Sequence, residues 1–179
     1  MKSNRPLFVL IGIGLIYFAL CFIGPKDIFS LDIKMDLKTN PEEVFQNINN
    51  LENWKQWAEW QMNVPESEFK YSRQTIGKGA LMEFDLPKQG KGEIEIIESQ
   101  ENTFVKTRTF FNNWDGTTYS EYSIKSKPGG GSIVELKVSN SENINFFMRG
   151  ILFMNNSSEK VYENTLLGLK NLDELSQKY

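Results

Sequence analysis

Alternation of apolar and polar residues along most of the chain predicts a protein rich in β-strands. Residues 31–37 alternate apolar and charged side chains without a fault, which is the pattern of a strand with one buried face. Residues 93–98 repeat the pattern, and further apolar runs separated by glycine-rich turns predict five more strands. Short strands at regular spacing with tight turns between them are typical of an antiparallel meander.

Helices are predicted after the first strand and at the C-terminus. Asn40 and Pro41 supply a polar N-cap and a first-turn proline. A second short helix is expected where a leucine and two tryptophans recur at three-residue spacing, between residues 51 and 57. Apolar residues at spacings of three and four then predict one long helix from about residue 145 to residue 176.

The N-terminal segment differs from the rest of the chain. Residues 7–24 form a run of 18 residues without a charge, which as a helix of about 27 Å just crosses a bilayer core. Lys2 and Arg5 precede the run, so the positive-inside rule places the N-terminus in the cytoplasm. We therefore expect residues 1–25 to form a single-pass transmembrane anchor and residues 26–179 to form one extracytoplasmic, soluble domain.

Other interpretations of this segment stay open. A charged start followed by an apolar stretch also describes a cleaved signal peptide, although no Ala-x-Ala site follows the run. Cys21 suggests a lipid-modified cysteine, but the residue before it is Leu20, where such signals have a small residue. The remaining alternatives are a buried core helix and a domain that faces the cytoplasm, since only two basic residues set the orientation.

Composition removes several classes of chemistry. The chain has no histidine, which excludes histidine bases, Ser-His-Asp triads and His-ligated zinc, and its one cysteine excludes an intrachain disulfide. The net charge is -3 and no basic run is present, so specific nucleic-acid binding is not expected. No set of carboxylates has metal-ligand spacing, and we expect neither a metal nor another cofactor.

The order of the elements, together with a set of turn and packing residues, resembles a known superfamily. The motifs are Pro41-Glu42-Glu43-Val44-Phe45, Leu51…Trp54…Trp57, Gly77-x-Gly79, Gly92-Glu93-Ile94-Glu95-Ile96 and Gly130-Gly131-Ser132-Ile133-Val134. Over about residues 31–175 the chain is similar to the START-like helix-grip superfamily, and within it to the polyketide cyclase/dehydrase-type (SRPBCC) branch of bacteria. It departs from this pattern at Leu136, where relatives often have tryptophan.

The resemblance implies both a fold and a site. The fold is α+β, of the helix-grip type, with a curved antiparallel seven-stranded sheet wrapped round a long C-terminal helix. The site is a ligand-binding cavity between the sheet and that helix, and no particular reaction is implied.

The resemblance and the alternation together predict which side chains line the cavity. If Phe104 faces inward, as the family register implies, the two-residue period of a strand places Lys106 and Arg108 inward as well. Arg108 is then expected to orient an anionic ligand head, unless the register is shifted by one residue. The predicted walls are Met82, Phe84, Ile94, Ile96, Phe104, Tyr122, Val134, Leu136, Phe147, Ile151 and Met154.

These residues predict a membrane-anchored, non-catalytic domain that binds a hydrophobic or amphiphilic, lipid-like small molecule. The first alternative is a cyclase- or dehydratase-type enzyme, with Tyr122 and Arg108 as its only candidate acid–base pair. The second is an envelope stress or assembly module that binds protein partners through the tryptophans of residues 54–60, unless these rings dock short helices on the sheet. Residues 146–154 hold seven large apolar side chains in nine, which fits a lid, a membrane contact or a fully buried helix start.

Overall fold

A computed structural model gives the architecture of the chain. The chain divides into two compact units, one of residues 1–28 with 143–161 and one of residues 29–142 with 162–179. The predicted boundary after residue 25 lies outside the described residues. The structure describes residues 5–24, 30–62, 64–87, 90–112, 114–141, 145–155 and 157–177.

The larger unit is built on one antiparallel sheet of seven strands, which confirms the sequence prediction. The strands lie in the order β1-β7-β6-β5-β4-β3-β2, so the first strand of the chain pairs with the last and β2 forms the other edge. A bulge interrupts β4 between Ile96 and Glu98. The strands are β1 Leu31–Leu37, β2 Phe69–Tyr71, β3 Leu81–Leu86, β4 Gly90–Gln100, β5 Phe104–Phe111, β6 Trp114–Ser126 and β7 Ser132–Asn140.

Six α-helices accompany the sheet in the described part of the chain. Asn40 caps α2 as predicted, because its side-chain oxygen accepts a hydrogen bond from the Glu43 amide at 3.0 Å. The predicted second short helix is divided into a 3-10 turn and two α-helical turns. The helices are α1 Arg5–Ile23, α2 Pro41–Ile48, α3 Trp54–Trp57, α4 Glu59–Met62, α5 Phe146–Met154 and α6 Ser157–Ser176.

The prediction of one long C-terminal helix over residues 145–176 is wrong. Helix α5 ends at Met154 and α6 begins at Ser157, with Asn155 at φ -92° and ψ 0° between them. Asparagine and serine favour helix ends because their side chains compete for backbone hydrogen bonds, whereas the apolar spacing simply continues through the break. As a result α5 falls in the smaller unit with α1, and most of α6 falls in the larger unit.

The hydrophobic core of the larger unit lies between one face of the sheet and helices α2, α3 and α6. Helix α2 buries Val44, Phe45 and Ile48, and α6 buries Leu169 and Leu172. These apolar side chains recur at helical spacing, so each helix turns one side toward the sheet. The packing therefore defines an inner face of the sheet, covered by helices, and an outer face.

Helix α1 covers most of the uncharged N-terminal run, as expected. No helix in the described part of the chain, however, is both long enough and apolar enough to cross a membrane. The transmembrane assignment of residues 1–25 is therefore not supported by the structure.

Candidate functional site

Seven of the predicted cavity residues lie on the inner face of the sheet. Each is at most 6% exposed. The antiparallel register places Met82 opposite Ile94 and Tyr122 opposite Leu136, so apolar pairs lie on either side of β5 on this face. We call these seven residues the apolar wall: Met82, Phe84, Ile94, Ile96, Tyr122, Val134 and Leu136.

Two tryptophans close the apolar wall from the helical side. The rings of Trp54 and Trp57 lie edge-on to Tyr122, at centroid distances of 6.2 and 6.4 Å. The indole of Trp54 donates to the carbonyl of Ile48 at 2.9 Å, which ties the ring to the end of α2. Both rings are buried, so they dock the short helices on the sheet, while Trp60 is half-buried.

Phe104 and Arg108 do not face the inner side, and the prediction that they do is wrong. On β5 the inner positions are Val105 and Thr107, both buried. The Arg108 guanidinium instead reaches Glu95 on the outer face, with 2.6 Å between Nη2 and Oε2. The expected register is off by one residue because Phe104 and Phe110, two of the three phenylalanines of this strand, point outward.

This placement also separates the candidate acid–base pair. Tyr122 lies on the inner face, and burial raises the pKa of its hydroxyl well above the ordinary value. Arg108 lies on the opposite face in a surface ion pair. The two groups therefore cannot act on one substrate, and the enzyme alternative loses its only pair.

Three predicted wall residues lie elsewhere. Phe147, Ile151 and Met154 belong to α5, and all three side chains are exposed. The break before α6 removes them from the helix that covers the sheet. They are not part of the buried wall that the sequence led us to expect.

The structure reveals a polar group on the inner face that the sequence analysis missed. Thr107 lies opposite Ser120, and Thr109 lies opposite Thr118, so four hydroxyls occupy neighbouring positions of β5 and β6. Thr118 donates to the side-chain oxygen of Asn140 at 2.9 Å, while the other three hydroxyls have no such partner among the described residues. We call these four residues the hydroxyl patch.

The hydroxyl patch lies beside the apolar wall at the centre of the sheet. Thr107 is 1% exposed and pairs with Ile96 on one side, while Ser120 is two residues from Tyr122 on the same face. Valine has nearly the same shape as threonine, so packing alone does not require the Thr107 hydroxyl. Its oxygen is not one of the fully buried, unpartnered side-chain oxygens of the described residues, which belong to Gln61, Tyr71 and Ser132. A hydroxyl that packing does not require, at a central position of the sheet, is a candidate for ligand contact.

No strand position that the structure describes on the inner face carries a charge. The charges lie on the outer face, where one row alternates in sign across five strands. The row consists of Glu98, Lys106, Glu121, Lys137 and Asp32. Lys106 and Glu121 in this row form an ion pair of 2.7 Å, which raises the pKa of the lysine above its ordinary value.

A shallow depression of about 480 Å³ lies over the outer face near the β4–β5 turn. Its polar side chains already bind one another: Lys106 pairs with Glu121, and Gln100 donates to Glu98 at 2.8 Å. The described residues also contain no cluster of three or more side chains suited to a metal ion. The inner face is therefore the stronger candidate site.

Comparison with known proteins supports the fold. No family model matches the chain, and no curated protein matches it. The KanY protein aligns with a TM-score of 0.60 at 13% identity, over 83% of this chain and 97% of its own. The Aha1 protein from Colwellia psychrerythraea aligns with a TM-score of 0.56 at 19% identity, over 82% of this chain and 97% of its own. A protein of unknown function from Staphylococcus aureus aligns with a TM-score of 0.56 at 15% identity, over 84% of this chain and 96% of its own.

These likenesses are to proteins of low sequence identity, so they establish a shared fold and nothing about ligands. They extend over nearly the full length of each of the three proteins. The chain is thus an α+β protein with a seven-stranded antiparallel open sheet and C-terminal helices, a fold found in several bacterial proteins.

Proposed function

We propose that this protein is a helix-grip protein of the polyketide cyclase/dehydrase-type branch that binds one neutral, amphiphilic small molecule against the inner face of its sheet. The observation that carries the proposal is the hydroxyl patch beside the apolar wall. The element order and the shared fold support the family. We expect the protein to bind and release this ligand without catalysing a reaction of it.

The chemistry of the inner face sets the ligand class. To reach Ile94, Ile96 and Leu136, which are at most 3% exposed, a chain or ring system must enter where the covering helices pack, and there these side chains present only carbon. A hydroxyl or carbonyl of the ligand fits beside Thr107 and Ser120, whose hydroxyls can donate or accept. An anionic head would lie without a counter-charge on this face, which is costly, so a neutral ligand is favoured over the anionic one that the sequence suggested.

A pair of matched variants tests the proposal. Thr107→Val removes a hydroxyl from the inner face, and Thr117→Val makes the same change on the outer face of the neighbouring strand. The probes are a long-chain monoacylglycerol and the fatty acid of the same chain length, with binding followed by native mass spectrometry and by calorimetry. We expect the monoacylglycerol to bind more tightly than the fatty acid.

Because Thr107→Val removes one hydrogen bond to the ligand, we expect it to weaken monoacylglycerol binding about threefold to tenfold. Thr117→Val should bind monoacylglycerol as tightly as the parent protein. Circular dichroism checks that both variants fold. Equal affinities for the two variants would exclude the hydroxyl patch as the polar contact. Absence of binding by either probe to the folded parent protein would contradict the ligand class.

The same proposal places the protein at a membrane, with α1 as the attaching element. Support comes from the 18 uncharged residues of 7–24 and from the exposed apolar side chains of α1. We expect the full chain to stay with the membrane fraction after an alkaline wash, because apolar burial does not depend on ionic strength or pH. Release into the supernatant by that wash would contradict this location, and protease access from either side would test the predicted orientation.

A further inference from the structure

Helices α1 and α5 pack against each other through specific contacts. The Tyr17 hydroxyl donates to the backbone carbonyl of Phe147 at 2.6 Å. The rings of Phe18, Phe22 and Phe146 form a triangle with centroid distances of 5.0 to 5.4 Å. A side-chain-to-backbone hydrogen bond and an aromatic triangle together fix the rotation of each helix, so the pair has one defined arrangement.

Small residues allow the two backbones to approach closely. A Cβ atom placed on Gly150 would lie 2.9 Å from both the Cys21 Sγ and the Tyr17 Cε2, closer than such contacts occur. A Cβ atom on Gly24 would collide with the backbone carbonyl of Arg149. Helices in membranes typically pack through small residues such as glycine at the crossing point and through interhelical hydrogen bonds, and this pair has both.

The surface of the pair shows what surrounds it. Phe8, Val9, Leu10 and Ile11 are consecutive, and each is at least 50% exposed. Consecutive helical positions are about 100° apart, so four of them cover every side of the helix. A helix that is apolar on all sides is typical of the core of a large protein or of a membrane, and no protein core covers these exposed side chains. The occupant that fits is the hydrocarbon of a lipid bilayer.

Helix α5 continues this apolar surface. Phe147, Ile151 and Met154 are spaced at four and three residues, which places them on one side of the helix, and all three are exposed. All three side chains stay exposed although Gly150, on the neighbouring part of the helix surface, packs against α1. The exposed side of α5 is therefore free to contact the same lipid that surrounds α1.

We propose that α5 is a second membrane-contacting element, held on α1 as one helix pair whose outer surface lies in the bilayer. The inference rests on the membrane location proposed above and does not depend on the ligand. It requires that the pair enter the hydrocarbon layer, not that either helix span it. Phe147, Ile151 and Met154 are the residues of α5 assigned to the acyl chains.

Single labelled cysteines in the full chain test the inference. Cys21 is the only cysteine, and Cys21→Ser provides a background in which Ile11→Cys, Met154→Cys or Leu167→Cys carries an NBD fluorophore. Leu167 on α6 is the control, an exposed apolar residue of the larger unit with an exposed fraction of 46% against 66% for Met154. The protein is reconstituted in vesicles of phosphatidylcholine and phosphatidylglycerol in equal parts, with doxyl-labelled acyl chains as the quencher.

We expect severalfold stronger quenching at positions 11 and 154 than at position 167. Gly150→Leu, which forces the helices apart, should reduce quenching at 154 to the level of 167 and leave position 11 unchanged. Quenching at 11 without quenching at 154 would overturn the role of α5 while the membrane location stands. No quenching at either position would overturn both. A label at 154 shielded from the lipid quencher and from aqueous iodide would show a second copy on α5 and overturn the inference.

Discussion

Glu135 on the outer face shows how single residues stabilise this sheet. Its two carboxylate oxygens bind Lys125 at 3.0 Å and Lys34 at 3.1 Å, from the strands on either side. These hydrogen bonds, that of Lys125 first, lower the pKa of the Glu135 carboxyl below its ordinary value. The ionised form is therefore favoured in the folded protein relative to the unfolded chain.

The sign of the pH dependence follows from that lowered pKa. The stabilisation is present above the ordinary glutamate pKa and is lost as pH falls through the lower pKa of the folded state. We expect the difference in unfolding free energy between the parent protein and Glu135→Gln to be largest near neutral pH and to vanish in acid. Urea unfolding of both proteins, from neutral pH into acid, measures this difference in unfolding free energy. A titration midpoint of Glu135, followed by NMR, that does not rise in Lys125→Ala would contradict the assignment.

At the scale of elements, Asp173 joins α6 to the turn between β1 and α2. One carboxylate oxygen accepts from the Lys38 amide at 2.8 Å, the Thr39 amide at 3.1 Å and the Thr39 hydroxyl at 2.9 Å. Thr39 is buried, so its amide has no water to replace the carboxylate. This contact holds the covering helix in position over the inner face.

Removal of that contact predicts a clear loss of stability. Asp173→Ala should lower the free energy of unfolding by about 2 kcal/mol, because hydrogen bonds to a charged group are lost and a buried amide is left unpaired. Glu174→Ala, at the adjacent exposed position of α6, is the control and should change it by less than about 0.5 kcal/mol. Chemical denaturation measures both, and equal effects of the two substitutions would show that the carboxylate of Asp173 is dispensable.

Strand β5 shows how far alternation in a sequence can be interpreted. Alternation predicted the strand itself, because period two is a local property. It did not predict the face, since Phe104 and Phe110 lie on the outer side while the inner side carries Val105, two threonines and Phe111. Hydrophobicity alone points to the phenylalanines, and only the pairing with neighbouring strands decides the face. The threonines that alternate with the two basic residues are the signal for the hydroxyl patch.

The C-terminal helices show a second limit of sequence interpretation. The spacing of three and four residues correctly placed Leu169 and Leu172 against the sheet. The same spacing ran on through Asn155 and gave no sign that α5 packs on α1 instead. Periodicity records that a helix has an apolar side but not which partner covers it, since any apolar partner produces the same pattern. The three wall residues assigned to α5 were misplaced for this reason.

At the scale of the whole molecule, the chain divides into two units with separate sources of stability. The larger unit buries its own core, including Leu169 at 1% exposure. The smaller unit is fixed by the contacts of Tyr17 and Gly150 between its two main helices. Units that bury different side chains open in different events, with amide exchange that reports each one.

Two substitutions should therefore separate the units by hydrogen exchange. Leu169→Ala leaves a cavity and removes about 2–5 kcal/mol from the core, so amides of β5, β6 and β7 should exchange faster while those of α5 do not change. Gly150→Leu should have the opposite effect, with faster exchange in α1 and α5 and an unchanged sheet, because the first atoms that its Cβ meets belong to Tyr17 and Cys21 of the smaller unit. Mass spectrometry of the full chain in vesicles measures both patterns. Faster exchange in β5–β7 and in α5 after either substitution would mean that one cooperative event opens both units, and that the membrane-contacting pair and the ligand-binding face are energetically coupled.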